Sequence, residues 1–341
     1  MIFKQFFDNI SFTYTYLIAN KKGAEACIID PVLENVPNYL KTIQDLNLKL
    51  VKVIDTHVHA DHISGISKLR DKTQCITCMG KSQNASEIVS MEVSDNEKFK
   101  IGDLELRALF TPGHTDDSYC FLLDDKIFTG DTLLIGGTGR TDFQNGNAKD
   151  QYNSLFNIVL KFDDKTLVYP AHDYKGETVS TIGFERKTNP RLQVKSKQEY
   201  VDLMNSLNLP NPKLMDIVVP KNKKHGVSLE IQMQLNGVNV QQLKTMINQK
   251  ASKLIDVRED FEIKRDGSIE NSIHVPYAQI ENYFKNIKLP QSHEKFILYC
   301  HTGQRTHLAL QKLKNVNIYH LAGGILNWIK EGEKVNLTSS H

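Results

Sequence analysis

The chain is expected to fold as two α/β units in tandem, and three observations carry that expectation. Its 341 residues exceed an average domain. Through the first 220 residues, short β-branched and aromatic runs alternate with turns and amphipathic stretches. Near residue 220 the texture shifts to the charged, apolar-poor Lys221-Asn222-Lys223-Lys224-His225-Gly226, and a fresh α/β alternation follows. The division this gives is a first unit at 1–222, a linker at 223–235 and a second unit at 236–341.

In the first unit, strands are predicted at Ser11–Ala19, Ala26–Asp30, Leu50–Asp55, Leu104–Phe110, Tyr119–Leu123, Lys126–Phe128 and Thr166–Tyr169. Helices are predicted at Val36–Leu46, Ile63–Arg70 and Lys149–Lys161, where apolar residues recur at helical spacing. In the second unit, Lys253–Asp256, Phe296–Tyr299 and Ile318–His320 read as strands and Thr306–Leu313 as a helix.

Bulk properties exclude several classes. Forty-two basic residues against 40 acidic ones leave no concentrated positive charge for nucleic acid. No apolar stretch is long enough to span a bilayer, and the first residues lack the pattern of a signal peptide. Five cysteines, an odd number without a disulfide framework, indicate a reducing compartment. The expected location is the cytoplasm, with neither membrane nor nucleic acid as partner; whether the chain forms a homo-oligomer is left open.

Only five histidines occur in the first 220 residues, and all fall in one pattern. His57, His59 and His62 lie in the H-x-H-x-D-H run Thr56-His57-Val58-His59-Ala60-Asp61-His62. His114 closes Thr111-Pro112-Gly113-His114, Asp131 closes Phe128-Thr129-Gly130-Asp131, and His172 closes Tyr169-Pro170-Ala171-His172. Imidazole and carboxylate together suit zinc, iron or manganese. Each candidate follows a predicted strand, so loops at one edge of a rigid sheet can bring them together.

In the second half, Cys300 stands between a predicted strand and a helix in Cys300-His301-Thr302-Gly303-Gln304-Arg305. Loop N–H groups, a helix N-terminus and Arg305 would favour a thiolate. The spacing is C-x4-R, one residue shorter than the C-x5-R loop of cysteine phosphatases, and suits sulfur better than phosphate. Cys27, Cys75, Cys78 and Cys120 read as core residues; the Cys75–Cys78 pair has no second pair to complete a zinc site.

The ordered ligand set resembles the metallo-β-lactamase fold, an αββα sandwich. Finer motifs resemble the persulfide dioxygenase (sulfur dioxygenase) family across residues 1–222. They are Asp30-Pro31-Val32-Leu33-Glu34, Leu133-Leu134-Ile135, Gly139-Arg140-Thr141-Asp142-Phe143-Gln144, Pro170-Ala171-His172-Asp173-Tyr174, Thr178-Val179-Ser180-Thr181, Asn189-Pro190-Arg191-Leu192 and Leu207-Asn208-Leu209-Pro210. One departure is Gly136, where members often carry Arg after Leu-Leu-Ile. Leu254-Ile255-Asp256-Val257-Arg258-Glu259, the Cys300 loop and Leu321-Ala322-Gly323-Gly324-Ile325 resemble a rhodanese domain, an α/β fold with a central parallel sheet.

The resemblance implies one Fe(II) per chain held by His57, His114 and Asp131, and no organic cofactor. His59, Asp61, His62 and His172 would then orient those ligands or complete a second metal site, while Arg140, Tyr174 and Arg191 would hold the substrate. The implied substrates are a thiol persulfide (glutathione or another small thiol) and O2, yielding sulfite. Cys300, with Arg305, would move sulfane sulfur among persulfide, thiosulfate and sulfite. Two other functions fit the same residues. One is a glyoxalase II-like thioester hydrolase with two zinc ions; the other is a carrier or sensor in which Cys300 alone reacts.

Overall fold

The structure, a computed structural model, describes residues 1–82, 88–207, 209, 215–249, 252–287, 295–313 and 317–337. Asn208 and Pro210 of the Leu207–Pro210 motif lie outside the described residues. The chain divides into two compact units, Met1–His225 and Gly226–His341. The stretch 223–235, read as a linker, carries the helix Leu229–Gln234, capped by the Ser228 side chain.

The first unit is built on two six-stranded sheets. The first takes β1 (Ile2–Asp8), β2 (Thr13–Ala19), β3 (Glu25–Ile29), β4 (Lys49–Ile54), β5 (Ile76–Gly80) and β6 (Met91–Val93) in chain order. The second takes β7 (Lys98–Ile101), β8 (Leu104–Phe110), β9 (Tyr119–Leu123), β10 (Lys126–Gly130), β11 (Leu167–Pro170) and β12 (Ser180–Thr181). All seven residues of β2 are buried, which requires cover on both faces. Leu17, with Ile28 and Val53, packs against Tyr39 and Leu69 of the helices Val36–Asp45 and Ile66–Thr73. On the other face Tyr16 meets Phe128 and Tyr169 of the second sheet, with ring centroids 5.1 and 5.5 Å apart. Removing one such buried ring, as in Phe128→Ala, costs about 3–5 kcal/mol. The second sheet's outer face, through Ile127 and Val168, is covered by Leu155, Ile182 and Tyr200. This is the αββα sandwich that the sequence predicts.

Strands β1, β5, β6, β7 and β12 were not among the predicted elements of this unit. Lys98–Ile101 spans four residues with charged alternates, too short to stand out from a turn. The predicted helix over 149–161 is present but changes pitch. It is α-helical over Ala148–Asn153, widens over Ser154–Ile158 and tightens over Val159–Lys161.

The second unit holds a five-stranded parallel sheet. Its strands are β13 (Gly237–Val238), β14 (Ser252–Asp256), β15 (Ile273–His274), β16 (Lys295–Tyr299) and β17 (Ile318–Leu321), ordered β13-β17-β16-β14-β15. Ile297 and Tyr299 pack with Leu243, Ile325 and Trp328 from flanking helices. Cys300 sits just past β16, and the helix Gln304–Leu313 begins four residues on. No helix among the described residues is long and apolar enough to cross a membrane.

Candidate metal centre and cysteine loop

His57 lies three residues past β4, His114 four past β8, Asp131 directly after β10 and His172 two past β11. Both sheets therefore contribute, and one ligand atom each from His57, His114 and Asp131 lies within 4.8 Å of the others. Close backbone approach makes this convergence feasible. A Cβ on Gly139 would stand 2.2 Å from the Asp131 carbonyl oxygen and 2.8 Å from His114 Nδ1, so only glycine fits.

Each ligand is held from behind. His114 Nδ1 lies 2.7 Å from the Arg140 carbonyl, which can only accept, so Nδ1 carries the proton and Nε2 is bare. The Thr56 hydroxyl donates to Asp30 Oδ2 (3.0 Å) and so accepts from His57 Nδ1 (3.0 Å), leaving His57 Nε2 bare as well. Burial, with His59 and His114 nearby, pushes the His57 pKa well down and keeps it a neutral donor. Asp131 turns Oδ2 toward His114 Nε2 (3.4 Å) and His57 Nε2 (4.0 Å), while Oδ1 accepts from His172 Nδ1 at 2.6 Å. Burial alone would raise the Asp131 pKa, but His172 outweighs it and holds the carboxyl well below the usual range. Two bare imidazole nitrogens and an ionised carboxylate on one face fit a divalent cation.

The remaining histidines surround this face. His172 lies between two carboxylates, with Nε2 2.9 Å from Asp61 Oδ2. Burial would lower its pKa, yet Asp131 and Asp61 drive it well above the histidine norm. Asp61 Oδ2 also accepts from His62 Nδ1 (2.8 Å) and from the Thr13 hydroxyl (3.1 Å). His59 Nε2 lies 3.1 Å from Asp30 Oδ1. His59 Nδ1 and His62 Nε2 are buried without a hydrogen-bond partner, a costly state for imidazole nitrogens unless a cation lies nearby.

The three expected substrate residues are placed differently from one another. The Arg140 guanidinium forks onto Asp142 with two 2.7 Å bonds and covers the Phe143 ring at 3.9 Å. Tyr174 is 65% exposed and stacks parallel to His172, 6.1 Å away. Arg191 donates to the Thr138 carbonyl and hydroxyl, and among the described residues no carboxylate pairs with it.

Sequence reasoning missed Asp30, Thr13 and Asn222. Asn222 Nδ2 donates to the carbonyls of His59 and His62 at 2.9 Å each, and its Oδ1 accepts from Ser64 N. It clamps the H-x-H-x-D-H loop from the charged stretch at the end of the first unit. No local pattern announces it.

In the second unit Cys300 is fully buried, with Sγ 3.9 Å from Thr306 Oγ1. Gln232 braces the loop, donating to the Thr302 carbonyl and accepting from Gly323 N. Arg305 does not face the thiol as a free charge. Its two Nη atoms bond Glu262 at 2.6 and 2.5 Å, with both side chains fully buried. Although burial opposes it, Arg305 brings the Glu262 pKa down to about 2. Arg258 is likewise paired with Asp256.

Comparison with known proteins assigns a family to each unit. The Metallo-beta-lactamase superfamily profile matches residues 9–172 and the Rhodanese-like domain profile residues 239–331. The chain thus joins a metallo-β-lactamase domain to a C-terminal rhodanese domain. It is 43% identical over 230 residues to "Persulfide dioxygenase ETHE1, mitochondrial" of Homo sapiens, covering 67% of this chain and 89% of that one. The crystal structure of ETHE1 from Myxococcus xanthus superposes with a TM-score of 0.64 at 49% identity, covering 66% of this chain and 99% of that one. A metallo-beta-lactamase structure from Staphylococcus aureus covers 95% of this chain and 97% of its own, at 25% identity and a TM-score of 0.61. The chain belongs to the persulfide dioxygenase family, here carrying a rhodanese domain.

Proposed function

We propose that the chain is a bifunctional enzyme of persulfide metabolism. Its first unit oxidises a small-thiol persulfide, R–S–SH + O2 + H2O giving R–SH + sulfite + two protons. Its second unit transfers sulfane sulfur through Cys300. What carries the first reading is the single face made by His57 Nε2, His114 Nε2 and Asp131 Oδ2, in a chain of this family. These three residues would hold one Fe(II), which would leave positions open for substrate and supply the redox chemistry that zinc lacks.

The chain's own residues do the rest. Thr56 and the Arg140 carbonyl keep both imidazoles in the Nδ1–H tautomer. Protonated His172 fixes Asp131 and hands the second carboxylate, Asp61, its own partner. Tyr174 walls the approach over His172, and Arg191 offers a cation for a substrate carboxylate. Glutathione is the expected thiol. In the second unit, the buried loop around Cys300 presents a nucleophile for sulfane sulfur, and thiosulfate, thiol persulfide and sulfite are the candidate exchange partners. All five cysteines are buried free thiols, in keeping with a cytoplasmic, reducing location.

O2 uptake and sulfite release after adding glutathione persulfide to iron-loaded protein test the first reading. Stoichiometric uptake, lost in His57→Ala, is the expected result; no uptake with any small-thiol persulfide refutes it. The unpartnered His59 Nδ1 and His62 Nε2 beside Asp61 favour one alternative, a two-zinc thioester hydrolase. Metal analysis separates the two: one iron per chain, or two zinc ions together with hydrolysis of S-lactoylglutathione.

A further inference from the structure

The helix Leu229–Gln234 inverts the usual pattern of burial. Leu229, Ile231 and Met233 are exposed, and the residue it buries is polar, Gln232. Apolar burial therefore does not hold this helix down; the hydrogen bonds of Gln232 do. Its Nε2 donates to the carbonyls of Val227 (2.8 Å) and Thr302 (3.2 Å), and its Oε1 accepts from Gly323 N (2.8 Å). Carbonyls only accept and a backbone N–H only donates, so the side-chain amide has one orientation. It lies close on the cysteine loop: a Cβ on Gly303, whose φ is +79°, would stand 2.0 Å from Gln232 Oε1. The backbone of Gln232 reaches the sulfur by a second route. Its carbonyl accepts from His320 Nε2 at 2.9 Å, and burial keeps His320 neutral, so His320 Nδ1 accepts from the Thr306 hydroxyl at 2.9 Å. Thr306 Oγ1 lies 3.9 Å from Cys300 Sγ.

Each carbonyl of the loop from Cys300 to Gly303 is taken by a donor. Cys300 O accepts from Ile325 N, His301 O from Leu326 N, Thr302 O from Gln232 and Gly303 O from His307 N. In a planar trans peptide the N–H points opposite to the C=O. Holding these carbonyls therefore fixes where the loop N–H groups point. Three of the four donors lie within residues 239–331, the stretch that the rhodanese profile matches; the Gln232 amide comes from before it. Resting on the reading of Cys300 as sulfur carrier, we propose that Gln232 is a positioning residue for sulfur transfer. By holding the Thr302 carbonyl it fixes the peptide between Thr302 and Gly303 while Cys300 takes up and gives away a sulfur atom. In the loading step the Cys300 thiolate attacks the terminal sulfur of R–S–SH. The Cys300–S bond forms, the R–S–S bond breaks, and its electron pair leaves on R–S⁻, giving Cys300–S–SH. Negative charge moves from one sulfur to another beside the loop, and a loop held in one shape meets it without rearranging.

The test uses the full-length protein under argon with glutathione persulfide as donor, so that O2 chemistry does not deplete it. Loading is followed as the mass gain of one sulfur atom on the Cys300 peptide, with Cys300→Ser as background. Gln232→Met keeps the bulk but removes the bonds to Val227, Thr302 and Gly323; it should slow loading about ten- to a hundredfold. Val240→Ala, a core truncation in the same unit, should lower the urea midpoint and leave loading within about twofold of the unmodified chain. Gln232→Glu gives the readout that a merely structural role would not move. Ionised, its carboxylate only accepts and faces two carbonyls; protonated, its O–H can donate to Thr302 again. Its loading rate, divided by that of the unmodified chain to cancel the donor's own ionisation, should recover as pH falls from about 8 to about 5. A folded methionine variant that loads within about twofold of the unmodified chain overturns the role of Gln232. So does a glutamate variant whose relative rate does not change with pH, and this arm stands if the methionine variant fails to fold. No loading in the unmodified chain overturns instead the reading of Cys300 as carrier.

Discussion

Replacing Glu262 by alanine should unfold the second unit at much lower denaturant. Arg305 is fully buried, its Nη atoms bond Glu262 at 2.6 and 2.5 Å, and its Nε has no other partner. Removing Glu262 leaves a desolvated guanidinium alone, which costs about 3–5 kcal/mol. With an m-value of about 1.5 kcal/mol per M in urea, a loss of about 4 kcal/mol moves the midpoint down by about 2.7 M. The assay reads one unit only, because the chain's single tryptophan, Trp328, is buried there and donates to the Lys334 carbonyl. Acid offers a second arm. The Glu262 pKa is about 2 in the fold, against an ordinary 4.5. The unfolded chain binds the extra proton between those values, so stability is full above pH 4.5 and is lost as pH falls toward 2. The loss amounts to about 3 kcal/mol. Glu262→Leu combined with Arg305→Met should restore the midpoint to within about 1–2 kcal/mol. A single-variant cost below about 1 kcal/mol, or a double variant as unstable as the single, would show that the pair is not the strut described.

Three further outcomes are expected. Asn222→Ala strands two buried carbonyls and the Ser64 N–H; it should cost about 3 kcal/mol and weaken metal binding about 10–100-fold in a chelator competition. Gly139→Ala places a methyl 2.2 Å from the Asp131 carbonyl oxygen and should abolish metal uptake while far-UV circular dichroism stays near wild type. His225 is pushed down to about 4 by burial and Arg70. The unfolded chain therefore takes up the proton first, and stability of the first unit should fall as pH drops from about 6.5 to 4, by at most about 3 kcal/mol. Hydrogen exchange of residues 56–65 follows this, and His225→Gln should flatten the profile.

The donors of the metal face were legible because histidine is scarce and each candidate follows a strand. What holds them was not. His114 is fixed by a backbone carbonyl, which has no side-chain signature. Asp30 stood in a motif without an assigned role, since its three bonds to Thr56 and His59 form only when β3 and β4 lie side by side. The C-x4-R spacing placed Cys300 and Arg305 on one loop, but the direction of the guanidinium depended on Glu262, 43 residues earlier. Most buried strands rich in β-branched or aromatic residues were read correctly, while β1, the buried β5 and the short β6, β7 and β12 were missed. Local pattern reveals what a residue can do; its partner decides what it does.

Asn222 also sets an order of events during synthesis. The clamp closes on His59 from 163 residues further along. At about 5–20 residues per second, the ribosome delivers it roughly 8–30 s after the histidines appear. Throughout that interval the loop carries its imidazoles without its brace. Only once Asn222 is in place are the His59 and His62 carbonyls braced. The last helix of the unit thus closes last on the loop that carries three of its histidines.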